Sequence, residues 1–155
     1  MYEKILVPLD GSKTAECVIP HVLEIAKNCH PTQIVLLRVC PPVSVLADYP
    51  ADMPEPWEQH VKEINYQASR QCSIYLDNVE GELKKSGLKN IRVVGKLGEP
   101  AKEIIDYVEK NGIGLVIMAS HGRSGPGRWA FGSVAEKVMR SLDVPVMIVR
   151  EKHSK

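Results

Sequence analysis

The hydrophobic positions along the chain form five short runs that are separated by longer amphipathic stretches. Each run is rich in β-branched residues and apolar at successive positions, as in strands that are buried on both faces of a parallel sheet. The runs cover residues 5–9, 34–39, 91–94, 115–119 and 144–149. The pattern therefore predicts a parallel sheet of five strands.

Between the runs, apolar residues recur every three or four positions, as they do on one face of a helix. The segments with this spacing cover residues 15–26, 61–83, 101–108 and 134–142. Pro20 lies inside the first segment and predicts a kink or a delayed helix start, because proline lacks an N–H donor. Strand and helix alternate, which indicates a doubly wound α/β fold with right-handed crossovers and helices on both faces of the sheet.

Residues 41–56 interrupt this alternation. They contain five prolines and show no periodicity, so they predict a long loop between the second strand and the second helix. Loops of this length often serve as lids or interaction surfaces, and a merely tolerated insertion is an equal alternative.

The composition is that of an ordinary globular protein, with 44% hydrophobic and 25% charged residues, and predicts one domain over residues 1–155. The net charge of +1 argues against a nucleic-acid-binding protein, whose affinity depends on a broad basic surface. The start of the chain shows no signal-peptide pattern, and no apolar run approaches the roughly 20 residues of a membrane span. We therefore expect a cytoplasmic protein that binds neither nucleic acid nor membrane.

The four cysteines are Cys17, Cys29, Cys40 and Cys72. They form no C-x-x-C pair, and no histidines are spaced like zinc ligands. In a cytoplasmic protein this spacing predicts four buried, reduced thiols and no metal site.

A glycine-rich segment follows the fourth strand and leads into the last helix. Doubly wound sheets bind ligands at the carboxyl ends of their strands, where the strand order reverses. Glycines allow close approach to the N–H groups of a helix start, and Arg123 and Arg128 add positive charge, so the segment predicts a phosphate site. It is not a P-loop, because Arg128 and Trp129 replace the lysine and the serine or threonine of that motif.

Two motifs in the chain resemble those of the universal stress protein family. The first is Val-Pro-Leu-Asp-Gly-Ser at residues 7–12, and the second extends from Ser-His-Gly-Arg-Ser-Gly at 120–125 to Gly-Ser-Val-Ala-Glu-Lys-Val at 132–138. The resemblance implies the strand order 3-2-1-4-5, a homodimer and, in one branch, bound ATP. In the pattern G-x2-G-x9-G-S/T of that branch, Ala119 replaces the first glycine, whereas Gly122, Gly132 and Ser133 match.

The resemblance also assigns a role to individual residues of a site for ATP with Mg²⁺. The implied residues are Pro8, Leu9 and Val39 around adenine, Asp10, Met118 and Ala119 around the ribose, and Gly122, Gly132, Ser133 and Val134 around the phosphates. Arg123 joins the phosphate group because of its positive charge. Simpler roles stay open for three of them. Ser133 and Glu136 have the spacing of a helix capping box, Asp10 suits a plain turn, and Arg123 suits a solvated loop.

The leading hypothesis is an ATP-binding regulatory protein of the universal stress type, acting as a nucleotide-dependent homodimeric stress-response factor. An exposed apolar edge strand needs a cover, so the dimer would form through Val144, Val146 and Ile148 of the last strand. One alternative is a dimer that binds no nucleotide and acts through an unidentified protein partner, which Ala119 favours. The other is slow ATP hydrolysis, but no Asp or Glu lies between residues 118 and 134 to act as a general base.

Overall fold

The computed structural model describes residues 2–42, 56–120 and 131–151. Its strands are β1 (Lys4–Pro8), β2 (Gln33–Cys40), β3 (Ile91–Leu97), β4 (Leu115–Ala119) and β5 (Val146–Val149). Its helices are α1 (Lys13–Glu16), α2 (Ile19–Cys29), α3 (Pro56–Lys85), α4 (Pro100–Asn111) and α5 (Ser133–Ser141). The five predicted strands and the four predicted helical segments are thus present, and the first helical segment is divided into α1 and α2.

The strands form one parallel sheet in the order β3-β2-β1-β4-β5, which confirms the expected order 3-2-1-4-5. Central β1 pairs with β2 on one side and with β4 on the other, so Leu6 lies between Val35 and Val116 in register. The strand order reverses at β1. A crevice between the carboxyl ends of β1 and β4 is the expected place for a ligand in such a sheet.

Each face of the sheet carries its own hydrophobic core, with α2 and α3 on one face and α4 and α5 on the other. The first core includes Ile5, Val7, Val22, Leu36, Leu76 and Leu83, and the second includes Leu6, Val35, Ile104, Val108, Val116 and Val138. Ile5 and Leu6 enter opposite cores, because successive side chains of a strand point to opposite faces. Both faces are therefore covered, which explains why the strand runs show no alternation of polar and apolar residues.

Of the two alternatives for Pro20, the delayed helix start is confirmed, because Pro20 is the second residue of α2, a first-turn position that tolerates proline. Two predicted boundaries are wrong. Helix α3 begins at Pro56, so this residue belongs to the helix and not to the predicted loop, of which residues 43–55 lie outside the described ranges. Strand β5 begins at Val146, so Val144 is not part of the strand that was expected to form the dimer.

The expectation of four buried, reduced thiols is also wrong. Cys40 at the end of β2 and Cys72 in α3 form a disulfide, with their Cα atoms 6.9 Å apart. Cys17 is half-buried and Cys29 is exposed, and both are free thiols. The two paired cysteines are 32 residues apart in sequence, so only the packing of α3 against β2 brings them together.

No helix within the described ranges is both long and apolar enough to cross a membrane.

Candidate functional site

A cavity of about 400 Å³ lies at the carboxyl ends of β1, β2 and β4. Its lining residues are Pro8, Leu9, Asp10, Ala15, Leu37, Val39, Pro41, Pro100, Ile104, Met118, Ala119, Ser120, Gly132, Ser133, Val134 and Ala135. Every predicted site residue that the structure describes is among these lining residues. Gly122 and Arg123, the other two predicted site residues, lie outside the described ranges. The cavity occupies the crevice expected of a doubly wound sheet.

The turn after β1 holds Asp10 at the edge of the cavity. The Ser12 backbone N–H and the Ser12 hydroxyl both donate to Asp10 Oδ1, at 2.9 and 2.6 Å. Gly11 has a φ of +86°, a conformation that residues with a side chain rarely adopt. Ser12 then caps α1, because its hydroxyl accepts from the Ala15 N–H at 3.1 Å. Asp10 is therefore a turn residue by its hydrogen bonds and a cavity residue by its position.

Ser120, directly after β4, is hydrogen-bonded to the end of β5 and to the residue before α5. The buried Ser120 donates its N–H to the Val149 carbonyl at 2.8 Å and accepts the Gly132 N–H on its own carbonyl at 2.8 Å. The ends of β4 and β5 and the start of α5 are thus held together beside the cavity. Sequence reasoning assigned Ser120 to the family motif but gave it no role in the site.

The start of α5 presents backbone N–H groups at the cavity. Gly132 is the N-cap and makes no side-chain capping bond, and its carbonyl accepts the Glu136 N–H at 2.9 Å. The capping box proposed for Ser133 and Glu136 is therefore wrong, because Ser133 is the first residue of the helix and not its cap. The N–H groups of Ser133, Val134 and Ala135 have no acceptor within the helix. Such groups, together with the helix dipole, favour an anion.

The start of α4 also borders the cavity, through Pro100, but it already holds an anion of the protein. Glu99 accepts from the Ala101 and Lys102 N–H groups at 3.3 and 2.9 Å. These hydrogen bonds, that of Lys102 first, hold the pKa of Glu99 below its ordinary value. Of the two helix starts at the cavity, that of α5 is the one with N–H groups available to an anionic ligand.

The opposite wall of the cavity is apolar. Leu37 and Val39 project to the same side of β2, because side chains two positions apart share a face. Pro41, Ile104 and Met118 complete this wall. Leu37 and Pro41 could have been found from their spacing to Val39, and Ala135 from its place after Val134, whereas Pro100 and Ile104 reach the cavity only through a crossover. An apolar wall beside a few polar groups is the usual make-up of a small-molecule site.

A polar cluster lies next to the Asp10 turn. The Arg38 guanidinium stacks over the Tyr75 ring at 4.7 Å, and the Tyr75 hydroxyl donates to Glu16 at 3.2 Å. A Cβ added at Gly11 would lie 2.7 Å from the Arg38 guanidinium, so the turn packs tightly on this cluster. Burial, and then the neighbouring Glu16 carboxylate, raise the pKa of Tyr75 far above its ordinary value. The cluster connects the ligand-binding edge of β1 to α3.

The described ranges contain no group of three His, Cys, Asp or Glu residues that could hold a metal ion. Asp10 is the one carboxylate among the described residues that line the cavity. Of these residues it is the one whose carboxylate could contact a divalent cation or its hydration shell.

The sequence profile of the universal stress protein family matches residues 1–150. Among individual proteins, the chain is 29% identical to universal stress protein MJ0577 of Methanocaldococcus jannaschii, over 99% of this chain and 98% of the relative. The solved structure of MJ0577 superposes with a TM-score of 0.82 at 28% identity, covering 99% of each chain.

Two more distant structures share the fold and were solved with a nucleotide. A universal stress protein in complex with cAMP superposes with a TM-score of 0.69, at 17% identity over 96% of this chain and 97% of the other. An Arabidopsis thaliana member with AMP bound superposes with a TM-score of 0.62, also at 17% identity, over 96% of this chain and 92% of the other.

Proposed function

The chain belongs to the universal stress protein family, and we propose that it is an ATP-binding member that acts as a regulator. ATP would bind with Mg²⁺ in the cavity at the ends of β1, β2 and β4. Its occupancy would be passed on through the shape of a homodimer to a protein partner. The whole of residues 1–155 would act as this one nucleotide-binding unit, in the cytoplasm.

The observation that carries the proposal is the pairing of an apolar wall with an uncapped helix start in one cavity. The wall at Val39 suits an uncharged aromatic base, and the N–H groups at Ser133 and Val134 suit phosphate oxygens. Asp10 lines the same cavity and can accept hydrogen bonds from ribose hydroxyls. A ligand with a base, a sugar and a phosphate chain matches these three kinds of group.

The size of the cavity and the two nucleotide-bound structures are consistent with this ligand. About 400 Å³ lies within the usual 300–1,000 Å³ of small-molecule sites. The complexes with cAMP and with AMP show that this fold can hold an adenine nucleotide. At 17% identity these complexes support only that the fold can bind a nucleotide. The proposal of ATP as the ligand rests on the residues of this chain.

A regulatory role fits the lining better than catalysis does. Hydrolysis would need a general base within reach of a water molecule. Asp10, the carboxylate of the described lining, already accepts two hydrogen bonds from Ser12. Mg²⁺ would enter with the phosphates of ATP, with Asp10 as the carboxylate available to its hydration shell.

The homodimer would form along β5, an edge of the sheet. Val146 and Ile148 are half-buried and pack against the second core, so the strand presents a partly apolar edge. A two-fold partner strand would satisfy its free N–H and carbonyl groups. Sedimentation at micromolar concentration should give about twice the chain mass of 17.2 kDa, and a strict monomer would contradict the dimer.

Calorimetric titration with Mg-ATP tests the site, using Gly132→Val and a matched control. The valine side chain would enter the lining beside the start of α5 and block the phosphates, so binding should be lost. Gly81→Val is the control, because Gly81 lies in α3 with no atom within 4 Å of an added Cβ. Equal binding by Gly132→Val and the unaltered chain would contradict the site. No binding by the unaltered chain would favour the partner-only alternative.

A further inference from the structure

The Cys40–Cys72 disulfide joins the ligand-binding edge of the sheet to α3. Cys40 is the last residue of β2, and Cys72 lies within α3 before the residues that pack on the sheet. Both are buried, with 8% of Cys40 and 2% of Cys72 exposed. The bond therefore fixes the end of β2 relative to the helix that covers it.

Cys40 lies between two residues of the cavity wall in the sequence. Val39 and Pro41, its neighbours in sequence, both line the cavity. Successive side chains of a strand point to opposite faces, so Cys40 faces α3 while Val39 faces the cavity. A movement of the Cys40 backbone toward or away from α3 would consequently move the apolar wall.

A hydrogen bond connects Cys40 to the residue that follows β3. The Cys40 carbonyl accepts the Gly98 N–H at 3.0 Å. Gly98 precedes Glu99, the N-cap of α4, and Pro100, another lining residue. Cys40 is thus connected to the cavity on both sides of its strand.

One further contact holds α3 near the end of β2 when the disulfide is open. The Arg38 guanidinium stacks on the Tyr75 ring. Arg38 lies two residues before Cys40 in β2, and Tyr75 lies three residues after Cys72 in α3. Leu76 and Leu83 remain in the core. Reduction should therefore loosen the end of β2 without unfolding the domain.

We propose that Cys40 and Cys72 form a reversible redox site whose disulfide form binds nucleotide more tightly than its dithiol form. The proposal rests on the ATP site described above. Because binding and oxidation would be linked, ATP would favour the disulfide by the same factor by which the disulfide favours ATP.

The chemistry is thiol–disulfide exchange with a small dithiol as reductant. One thiolate of the dithiol attacks Cys40 Sγ, the more exposed partner, and the electron pair of the broken bond goes to Cys72 Sγ, which takes up a proton. The second thiol of the reductant then attacks the reductant sulfur that is bonded to Cys40 Sγ, and Cys40 is released as a thiol. Two electrons and two protons pass to the protein, and the reductant becomes a cyclic disulfide.

The test uses the full chain with Cys17→Ser and Cys29→Ser, so that Cys40 and Cys72 are the remaining thiols. The protein is treated with oxidised or reduced dithiothreitol, its thiols are counted after denaturation, and Mg-ATP is titrated into each form. The count should be zero after oxidation and two after reduction. The oxidised form should bind Mg-ATP about fivefold more tightly, a modest coupling because the core stays intact.

Two further measurements distinguish coupling between the disulfide and ATP binding from a general loss of structure on reduction. Cys72→Ser in the same background should bind like the reduced form and should not respond to dithiothreitol. Saturating Mg-ATP should shift the equilibrium between dithiol and disulfide, at fixed dithiothreitol ratios, by the same factor as the affinity. This second measurement does not depend on a variant.

Each contrary outcome points to a different error. Two thiols remaining after oxidation would overturn the redox site whatever ATP does. A disulfide that forms but leaves Mg-ATP affinity unchanged would overturn the linkage while leaving the ATP site intact. If neither form binds Mg-ATP, the proposed function fails and the linkage with it, and the thiol count alone reports on the pair.

Discussion

Gly11→Ala probes the turn that holds Asp10 at the cavity. Gly11 has a φ of +86°, and an alanine there costs about 1–2 kcal/mol in backbone conformation. The new Cβ would lie 2.7 Å from the Arg38 guanidinium, which would have to leave its place over Tyr75. Losing that cation–π contact costs roughly 0.5–1 kcal/mol more. We expect a total destabilisation of about 1.5–3 kcal/mol.

Gly112→Ala is the matched control for this variant. Gly112 has a φ of +63° at the end of α4, and an added Cβ would meet no atom within 4 Å. It should therefore cost the backbone conformation alone, about 1–2 kcal/mol. Urea unfolding followed by circular dichroism measures both variants. With a slope of about 2 kcal/mol/M, Gly11→Ala should lower the midpoint by about 0.8–1.5 M.

A double-mutant cycle and a ligand titration complete the experiment. In an Arg38→Ala background the guanidinium is absent, so Gly11→Ala should cost no more than Gly112→Ala does. Gly11→Ala should also weaken Mg-ATP binding, because Asp10 moves with the turn, whereas Gly112→Ala should not. The reasoning is refuted if Gly11→Ala and Gly112→Ala cost the same, or if removing Arg38 leaves the cost of Gly11→Ala unchanged.

Three other variants test separate parts of the structure. Because the pKa of Tyr75 is raised, its neutral form stabilises the fold below the ordinary tyrosine pKa of about 10, and this contribution is lost as the pH rises further. Tyr75→Phe should therefore lessen the loss of stability above about pH 10. An unchanged dependence of stability on pH would contradict the burial of Tyr75 as the cause. Ala119→Gly should tighten Mg-ATP binding by about tenfold or less, or leave it unchanged, because one buried methyl group is worth about 1 kcal/mol. Strong binding by the variant and none by the unaltered chain would favour the partner-only function. Glu99→Ala should lower the midpoint of thermal unfolding, because α4 loses its N-cap, and should leave the affinity for Mg-ATP unchanged. A large loss of affinity would show that α4 contributes to the ligand site.

The central strands were predictable because they are covered on both faces. The residues of β1 and β4 after Lys4 are buried, and such strands appear in the sequence as uninterrupted apolar runs. The edge strand β3 is different. It was predicted to end at residue 94, because Gly95 and the half-buried Lys96 end the apolar run, but it continues to Leu97.

The candidate site was predictable where it follows the strand ends. Asp10 and Gly132 each come directly after a feature that the sequence displays, a buried strand or a glycine-rich segment. Pro100 and Ile104 could not be found in this way, because they reach the cavity through the crossover that follows β3. The Cys40–Cys72 pair was missed for the same reason: its two members are neighbours only after α3 has packed on β2.

The length of α3 lets it connect the ligand-binding edge of the sheet to a distant part of the molecule. Thirty residues of helix extend about 45 Å, whereas the eight residues of β2 extend about 26 Å. Cys72 bonds α3 to the end of β2, and Val61, about 16 Å earlier along the helix, is buried as well. A helix moves as one rigid unit over this length, so an adjustment at the end of β2 would also reach the surroundings of Val61.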